Sequence, residues 1–288
     1  MADAIQTLPN SKNVLITGLV QRELKAQSKL LPFVTDFSGW AGPGAKSVSI
    51  PRLTSFTAQS RTFGVGVDAK ALTDAVDTIA LTKNKIVRWL EDHRDNYQST
   101  IDFRMEASKR AATAHSRAVD EDIVTALLAG AFDNENATSS SAVIGKDDIL
   151  SMRGKLLKEN AELSRMVLVI SVDNEAAMLA IADFVRADAY GNSNIPTGMI
   201  GTVFGVKVVV SNNSSLGAKQ AIMFDSEALG IAFQQDVQIS EQTENAYGAL
   251  SKSVAIDQVY GLNILQDGVG SASATESPLI VKLNFDND

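Results

Sequence analysis

Tyr97, Ile101, Met105, Ser108, Ala112, His115, Val119, Ile123 and Leu127 recur every three or four positions. That spacing puts them in one stripe on a helix reaching from about Asn96 to Ala129. At about 1.5 Å per residue such a helix is on the order of 50 Å long, whereas the average globular helix has about 11–12 residues. Asp95 or Asn96 can cap its start and Gly130 its end. A coiled coil is the weaker alternative, because the stripe carries small residues where apolar a and d positions are needed. One run conflicts with the pattern. Asp120-Glu121-Asp122 puts negative charge near the C-terminal end, where the helix dipole disfavours it; a kink there would relieve the conflict.

Ahead of the helix, residues 1–45 read as an arm. Leu19, Val20, Glu23, Leu24 and Leu30-Leu31 have helical spacing, and Pro32 stops them. Ser38-Gly39-Trp40-Ala41-Gly42-Pro43-Gly44 then breaks the chain. Lys46–Leu53 alternates, with Val48 and Ile50 on one side, and Pro51 marks an edge strand because proline cannot donate to a ladder. A second extended run covers about Val76–Leu90, and the polar stretch Thr54–Ala71 lies between the two. The reading is a long two-stranded arm with a tip.

After the Ser/Thr/Asn-rich linker Phe132–Ala142 the pattern mixes helices and strands. A helix begins at Asp147 or Asp148, with Ile149, Met152, Leu156 and Leu157 inward. Met166–Ser171 is an apolar run of buried-strand type. Asp173 can cap a helix to about Val185, with Leu179, Ala180 and Phe184 inward. Gly191–Gly201 reads as a loop, Val206–Ser211 and Ala221–Phe224 as strands, and Asp225–Leu229 as one helical turn. Val237–Glu241, Lys252–Leu265 and Leu279–Phe285 alternate as strands. The fold class is α+β.

The 288 residues contain no Cys and 2 His. That excludes disulfides, thiolate nucleophiles and zinc-thiolate sites. His93 and His115 are 22 positions apart, about 33 Å along a helix, so they cannot share a metal. His115 is expected as a satisfied structural histidine, and His93 as solvated or ion-paired. Gly198, Gly201 and Gly205 precede the strand Val206–Val210, the wrong order for a dinucleotide fingerprint. The sequons at Asn136, Asn212 and Asn213 carry no weight without secretion. No catalytic residue, cofactor site or metal site is expected. No apolar stretch approaches the ~18 residues of a membrane span.

The net charge is -8, which disfavours general nucleic-acid binding. It divides unevenly. Lys46, Arg52, Arg61, Lys70, Lys83, Lys85 and Arg88 face only Asp68, Asp74 and Asp77, so this stretch is +4 and the rest -12. A basic extension on an acidic body suits an arm that lands on the acidic surface of another copy, with those seven residues as inter-subunit contacts.

The order of elements resembles the major capsid proteins of tailed bacteriophages of the Hong Kong 97 type. Gly198–Ser211, two glycines ahead of a valine-rich strand, is similar to the segment running through that family's axial domain. Val237–Leu265, with Asp257-Gln258-Val259-Tyr260-Gly261-Leu262-Asn263-Ile264, is similar to its return strand. The resemblance covers about residues 15–268. It implies an N-terminal arm (1–44), an extended β-hairpin called the E-loop (45–88), a P-domain with a long spine helix and C-terminal strands (89–144 and 251–288) and a mixed α/β A-domain (145–250). It also implies hexamers and pentamers of an icosahedral shell that encloses packaged double-stranded DNA without sequence-specific contact. A portal protein at one vertex, a separate scaffolding protein and room for a decoration protein follow, with no membrane. The virion would be assembled in the host bacterial cytoplasm. An encapsulin-like nanocompartment shell shares the fold and is the alternative; a nucleotide-binding α/β enzyme using 191–205 is the remote one. Residues 267–288 are expected to add a strand to the P-domain or to a neighbour.

Overall fold

The computed structural model describes residues 28–53, 59–60, 63–64, 66, 69, 74–91, 103–130, 137–138, 143–181, 199–217, 220–243, 251–265 and 277–284. The helix-like patch at 19–24, the helix start at 96–102, His93, Asn136 and the link 267–276 lie outside them.

Helix α1, Phe103–Gly130, stays helical through Asp120–Asp122. Ser108, Ala112, His115, Val119, Ile123 and Leu127 of the expected stripe are buried, whereas Met105 is 49% exposed. Most of it lies on one sheet and its end reaches a second, which is why the helix must be long. Near its start Ala111 and Ala112 pack with Val87, Trp89, Val237 and Ile256. Near its end Val119, Ile123, Val124 and Leu127 enter the main core.

The sheet under most of the helix has the order β1-β10-β11-β4. Its strands are Thr35–Asp36 (β1), Lys83–Glu91 (β4), Leu229–Thr243 (β10) and Lys252–Ile264 (β11). β1 joins β10 in parallel and the other pairs are antiparallel. The larger sheet has the order β5-β12-β9-β6-β8-β7. Its strands are Ala137–Thr138 (β5), Met166–Ser171 (β6), Met199–Val203 (β7), Val206–Ser211 (β8), Gln220–Asp225 (β9) and Ile280–Asn284 (β12). β6 is buried along its whole length, as its unbroken apolar run requires. Helix α2, Lys146–Lys158, lays Ile149, Met152 and Leu156 on this sheet. Asp148 closes its first turn by accepting the Gly145 amide at 2.8 Å.

Several expectations are corrected. Val76–Leu90 is not one strand: β3 (Asp74–Ala80) ends at Ala80 and β4 begins at Lys83 in a different sheet. Leu157 points to solvent, 41% exposed. Helix α3 is only Glu175–Leu179, and it buries Met178 rather than Leu179 or Ala180; residues 182–198, with Phe184, lie outside the described residues. Met199–Val203 is a strand instead of loop. Val237–Glu241 is part of a strand that starts at Leu229. The C-terminal strand β12 enters the larger sheet between β5 and β9, not the sheet of β4, β10 and β11. Its Ile280, Val281 and Leu283 are buried in the core beside β9, and that core outweighs any gain from an edge position.

Candidate functional site

The hairpin of β2 (Ser47–Leu53) and β3 forms its own two-stranded sheet. Its root pairs Ser47 with Ala80 and its far end pairs Leu53 with Asp74. Burial falls off along it: Val48 and Ile79 at the root are buried, Val76 is 56% exposed, and Phe63, beyond the far end, is fully exposed. Gly64 beside Phe63 has φ 84°, a turn conformation that glycine adopts without strain. A small cluster of Val48, Ile50, Ile79, Leu81, Ala232 and Leu265 seats the root. Gln234 Nε2 donates to the Ala45 carbonyl at 2.6 Å, and Asn263 Nδ2 to the Thr78 carbonyl at 2.9 Å. Two glycines permit the close approach. A Cβ on Gly261 would stand 2.4 Å from the Ala80 carbonyl oxygen, and one on Gly230 would stand 3.0 Å from Ile79 Cδ1.

The seven basic residues divide between two places. Lys46 is exposed at the hairpin root, and its carbonyl accepts from the Leu81 amide at 3.0 Å. Arg52 is in β2 opposite Ala75. Arg61 and Lys70 lie outside the described residues. Lys83, Lys85 and Arg88 belong to β4, in the sheet under α1. The +4 assigned to the arm is therefore corrected. Between Lys46 and Thr82 the balance is four basic against three acidic residues, +1.

Lys83 and Lys85 have a partner within the chain. Both ammonium groups lie 3.2 Å from the two carboxylate oxygens of Asp122 on α1, and the Tyr260 hydroxyl of β11 donates to Asp122 Oδ2 at 2.6 Å. Burial pushes the Asp122 carboxyl up, but the hydrogen bonds from Tyr260, Lys85 and Lys83 outweigh it and hold the group below the usual range. The Tyr260 phenol is pushed far up by burial and by the adjacent carboxylate.

Two residues earlier, Asp120 serves the N-terminal segment. Its carboxylate accepts from Ser28 Oγ at 2.6 Å, the Lys29 amide at 3.0 Å and the Leu30 amide at 3.3 Å. Here burial prevails over the bonds from Ser28, Lys29 and Leu30, and the carboxyl is raised. Glu121, the exposed middle residue, accepts from Ser214 Oγ at 2.9 Å. The acidic run that conflicted with the helix dipole thus binds three different segments, and its charge is spent on donors nearer than the helix terminus. No sequence signal announced these partners, which are 138 and 92 positions away for Tyr260 and Ser28.

No catalytic constellation forms among the described residues. His115 is buried, and its Nε2 donates to the Ile256 carbonyl at 3.3 Å; burial lowers its pKa. Its Nδ1 has no partner among the described residues, so it is only half satisfied. Phe204 (φ 50°) and Gly205 (φ 84°) make the two-residue turn joining β7 to β8, a hairpin geometry and not a phosphate loop opening a helix. Among the described residues no group of three or more His, Asp or Glu could hold a metal, and no helix is long and apolar enough to cross a membrane.

The phage capsid protein family model matches residues 76–261. No curated protein matches. Solved capsid structures superpose over nearly the whole chain. The structure from Mycobacterium phage Che8 has a TM-score of 0.68 at 21% identity, covering 90% of this chain and 92% of that one. The capsid of Ralstonia phage GP4 has 0.63 at 14%, covering 89% and 88%. A virus-like particle from Pyrococcus furiosus has 0.62 at 12%, covering 95% and 99%. The resemblance seen in the order of elements and the α+β architecture therefore coincide. The chain belongs to the phage capsid protein family and is a major capsid protein of the Hong Kong 97 type.

Proposed function

We propose that copies of this subunit form hexamers and pentamers of an icosahedral shell enclosing double-stranded DNA, with the β2–β3 hairpin lying across a neighbouring copy. One observation carries this reading: a hairpin whose seat, among the described residues, is at its root, and whose far end presents Val76 and a fully exposed Phe63. An isolated two-stranded hairpin is marginal in water, so a second surface is needed to hold its far end. Lys46, Arg52, Arg61 and Lys70 are its proposed inter-subunit contacts. With a balance near zero, the docking rests on shape and apolar contact more than on net charge. Lys83, Lys85 and Arg88 have roles inside the subunit, through Asp122 and Ser253.

The division into arm (1–44), E-loop, P-domain and A-domain is kept as a proposal with two changes. The E-loop ends near Thr82, and 280–284 goes with the A-domain sheet. The acidic balance of -8 suits an inner wall that encloses DNA without gripping it. A separate scaffolding protein, a portal protein at one vertex, a decoration protein on the outer surface and assembly in the bacterial cytoplasm belong to the same reading. The encapsulin-like alternative shares the fold but not the family match.

Size-exclusion chromatography with light scattering, followed by negative-stain imaging, tests the proposal. Shells are expected from the wild type when it is expressed with its phage's scaffolding protein. Phe63→Ser, and separately Arg61→Glu with Lys70→Glu, should leave a folded subunit that forms few shells. Normal shells from both variants would remove the hairpin from the contact, and a monomeric wild type would overturn the shell reading.

A further inference from the structure

Three irregularities coincide halfway along the joint between α1 and the sheet of β4, β10 and β11. The first is in β10, whose pairing with β11 slips twice, between Phe233 and Gln235 and again between Gln235 and Gln238. Over the second slip, Gln235 to Gln238 is matched only by Val259 to Asp257, so the bulge flanks Gln258. The second is Gln258 itself. It is wholly buried, and neither its Nε2 nor its Oε1 has a hydrogen-bond partner among the described residues. The third is His115 on α1, 1% exposed, with Nδ1 unpartnered.

These groups separate two apolar patches. Ala111, Ala112 and Ile256 lie on one side; Val119, Ile123 and Tyr260 lie on the other, in different clusters. Beyond the second patch, Asp122 with Tyr260, Lys83 and Lys85 clamps the helix to the sheet. A buried polar group left unpaired costs about 1–3 kcal/mol, and bulged strands lack the regular ladder that resists opening. The plane through His115 and Gln258 is thus the weakest section of an otherwise continuous joint.

We propose that this plane is a hinge: the helix–sheet joint opens across His115 and Gln258, more readily when His115 takes a second proton, while the Asp122 clamp holds. On opening, Gln258 and Nδ1 of His115 gain water. A protonated His115 would carry a second N–H with no acceptor, so the closed joint prefers the neutral ring. Asp257 on β11 draws the proton towards the ring. Lys85 on β4, opposite Gln258, disfavours it, and Asp122 on α1 is already engaged. On β10, Gln235 and Gln238 carry no charge, whereas Asp236, between them in the bulge, is a carboxylate. The folded pKa of His115 lies below its ordinary value, so its stabilising share is complete above about pH 6.5. That share is lost as pH falls from there towards the folded value. The hinge belongs to the single subunit and is independent of how copies assemble.

Amide hydrogen exchange of the full chain, read by mass spectrometry, tests it. In the wild type, peptides over 235–238 and 256–259 should open at least roughly ten-fold more often than those over 229–233 and 262–264. Lowering the pH from about 7.5 to about 5.5 should raise that opening several-fold after correction for the chemical exchange rate. His115→Gln should remove the acid component, and Gln258→Leu should slow opening at both pH values. Uniform protection along β10 and β11 in the wild type overturns the hinge, whether or not either variant folds. Persistence of the acid component in His115→Gln overturns the role of the histidine.

Discussion

The Tyr260 hydroxyl of β11 donates to Oδ2 of the Asp122 carboxylate of α1 at 2.6 Å, the oxygen that also receives Lys85 of β4 at 3.2 Å, while Lys83 of β4 meets Oδ1 at 3.2 Å. One carboxylate thereby ties the middle of the sequence to two strands far from it in the chain. Tyr260→Phe keeps the ring, which lies 5.6 Å from that of Phe233, and removes only the donor. A hydrogen bond to a charged group contributes about 1.5–3 kcal/mol. The urea midpoint should fall accordingly, with the denaturant slope unchanged. An unchanged midpoint would show that the bond contributes nothing net.

Asp120 and Asp122 should act on acid stability in opposite senses. The folded pKa of Asp122 lies below its ordinary value; its stabilising share is present above about pH 4 and is lost as pH falls through the folded value. That of Asp120 lies above; the folded state takes up the proton first, so its contribution improves as pH falls through the folded value. Melting temperatures followed from about pH 6 to about pH 2 should show a shallower acid loss in Asp122→Asn than in the wild type. Asp120→Asn should show a steeper one, and the reverse order would contradict both assignments.

Gly261→Ala should disturb the hairpin root. The new methyl would fall 2.4 Å from the Ala80 carbonyl oxygen, a backbone atom that cannot rotate away. Overpacking of this kind costs about 1–3 kcal/mol, and shells should be lost even at temperatures where the subunit stays folded. Gly230→Ala meets Ile79 Cδ1 at 3.0 Å and Phe37 Cε2 at 3.1 Å, both side-chain atoms that can give way. It should be the milder change in the same thermal-unfolding and imaging assays.

Gly205 offers a cleaner backbone test. Nothing lies within 4 Å of a Cβ built there, but its φ is 84°. Gly205→Ala should lower stability by about 1–2 kcal/mol through backbone strain alone. Gly205→Asn should lower it less, because asparagine tolerates the left-handed region. Equal losses from the two would mean that the turn relaxes.

The long helix was legible because a 3.6-residue period survives through Ser108, His115 and Leu127 whatever the stripe packs against. Met166–Ser171 was legible because a strand buried on both faces needs an unbroken apolar run. The passage from β3 to β4 was not. Leu81-Thr82 carries no glycine or proline, and alternation continues across it while the chain changes sheets. Charge summed along that stretch therefore credited the hairpin with lysines that sit under α1. The service of Asp120 and Asp122 was hidden for a related reason: a local rule sees only the helix dipole, whereas their partners arrive from segments at 28–30, 83–85 and 260. In α3, one turn of helix is too short for periodicity to choose between Met178 and Leu179.

The placement of β12 bears on when the subunit can exist at all. Ile280–Asn284 lies between β5 and β9 inside the larger sheet, so that sheet cannot close while the ribosome still holds this stretch. A nascent chain that has already made its hairpin and long helix lacks a finished core until translation has passed residue 284. Folding of this half therefore waits for β12, and chains that stop short of it cannot offer neighbours a finished surface. In a cell making many copies at once, that delay would protect assembly from truncated subunits.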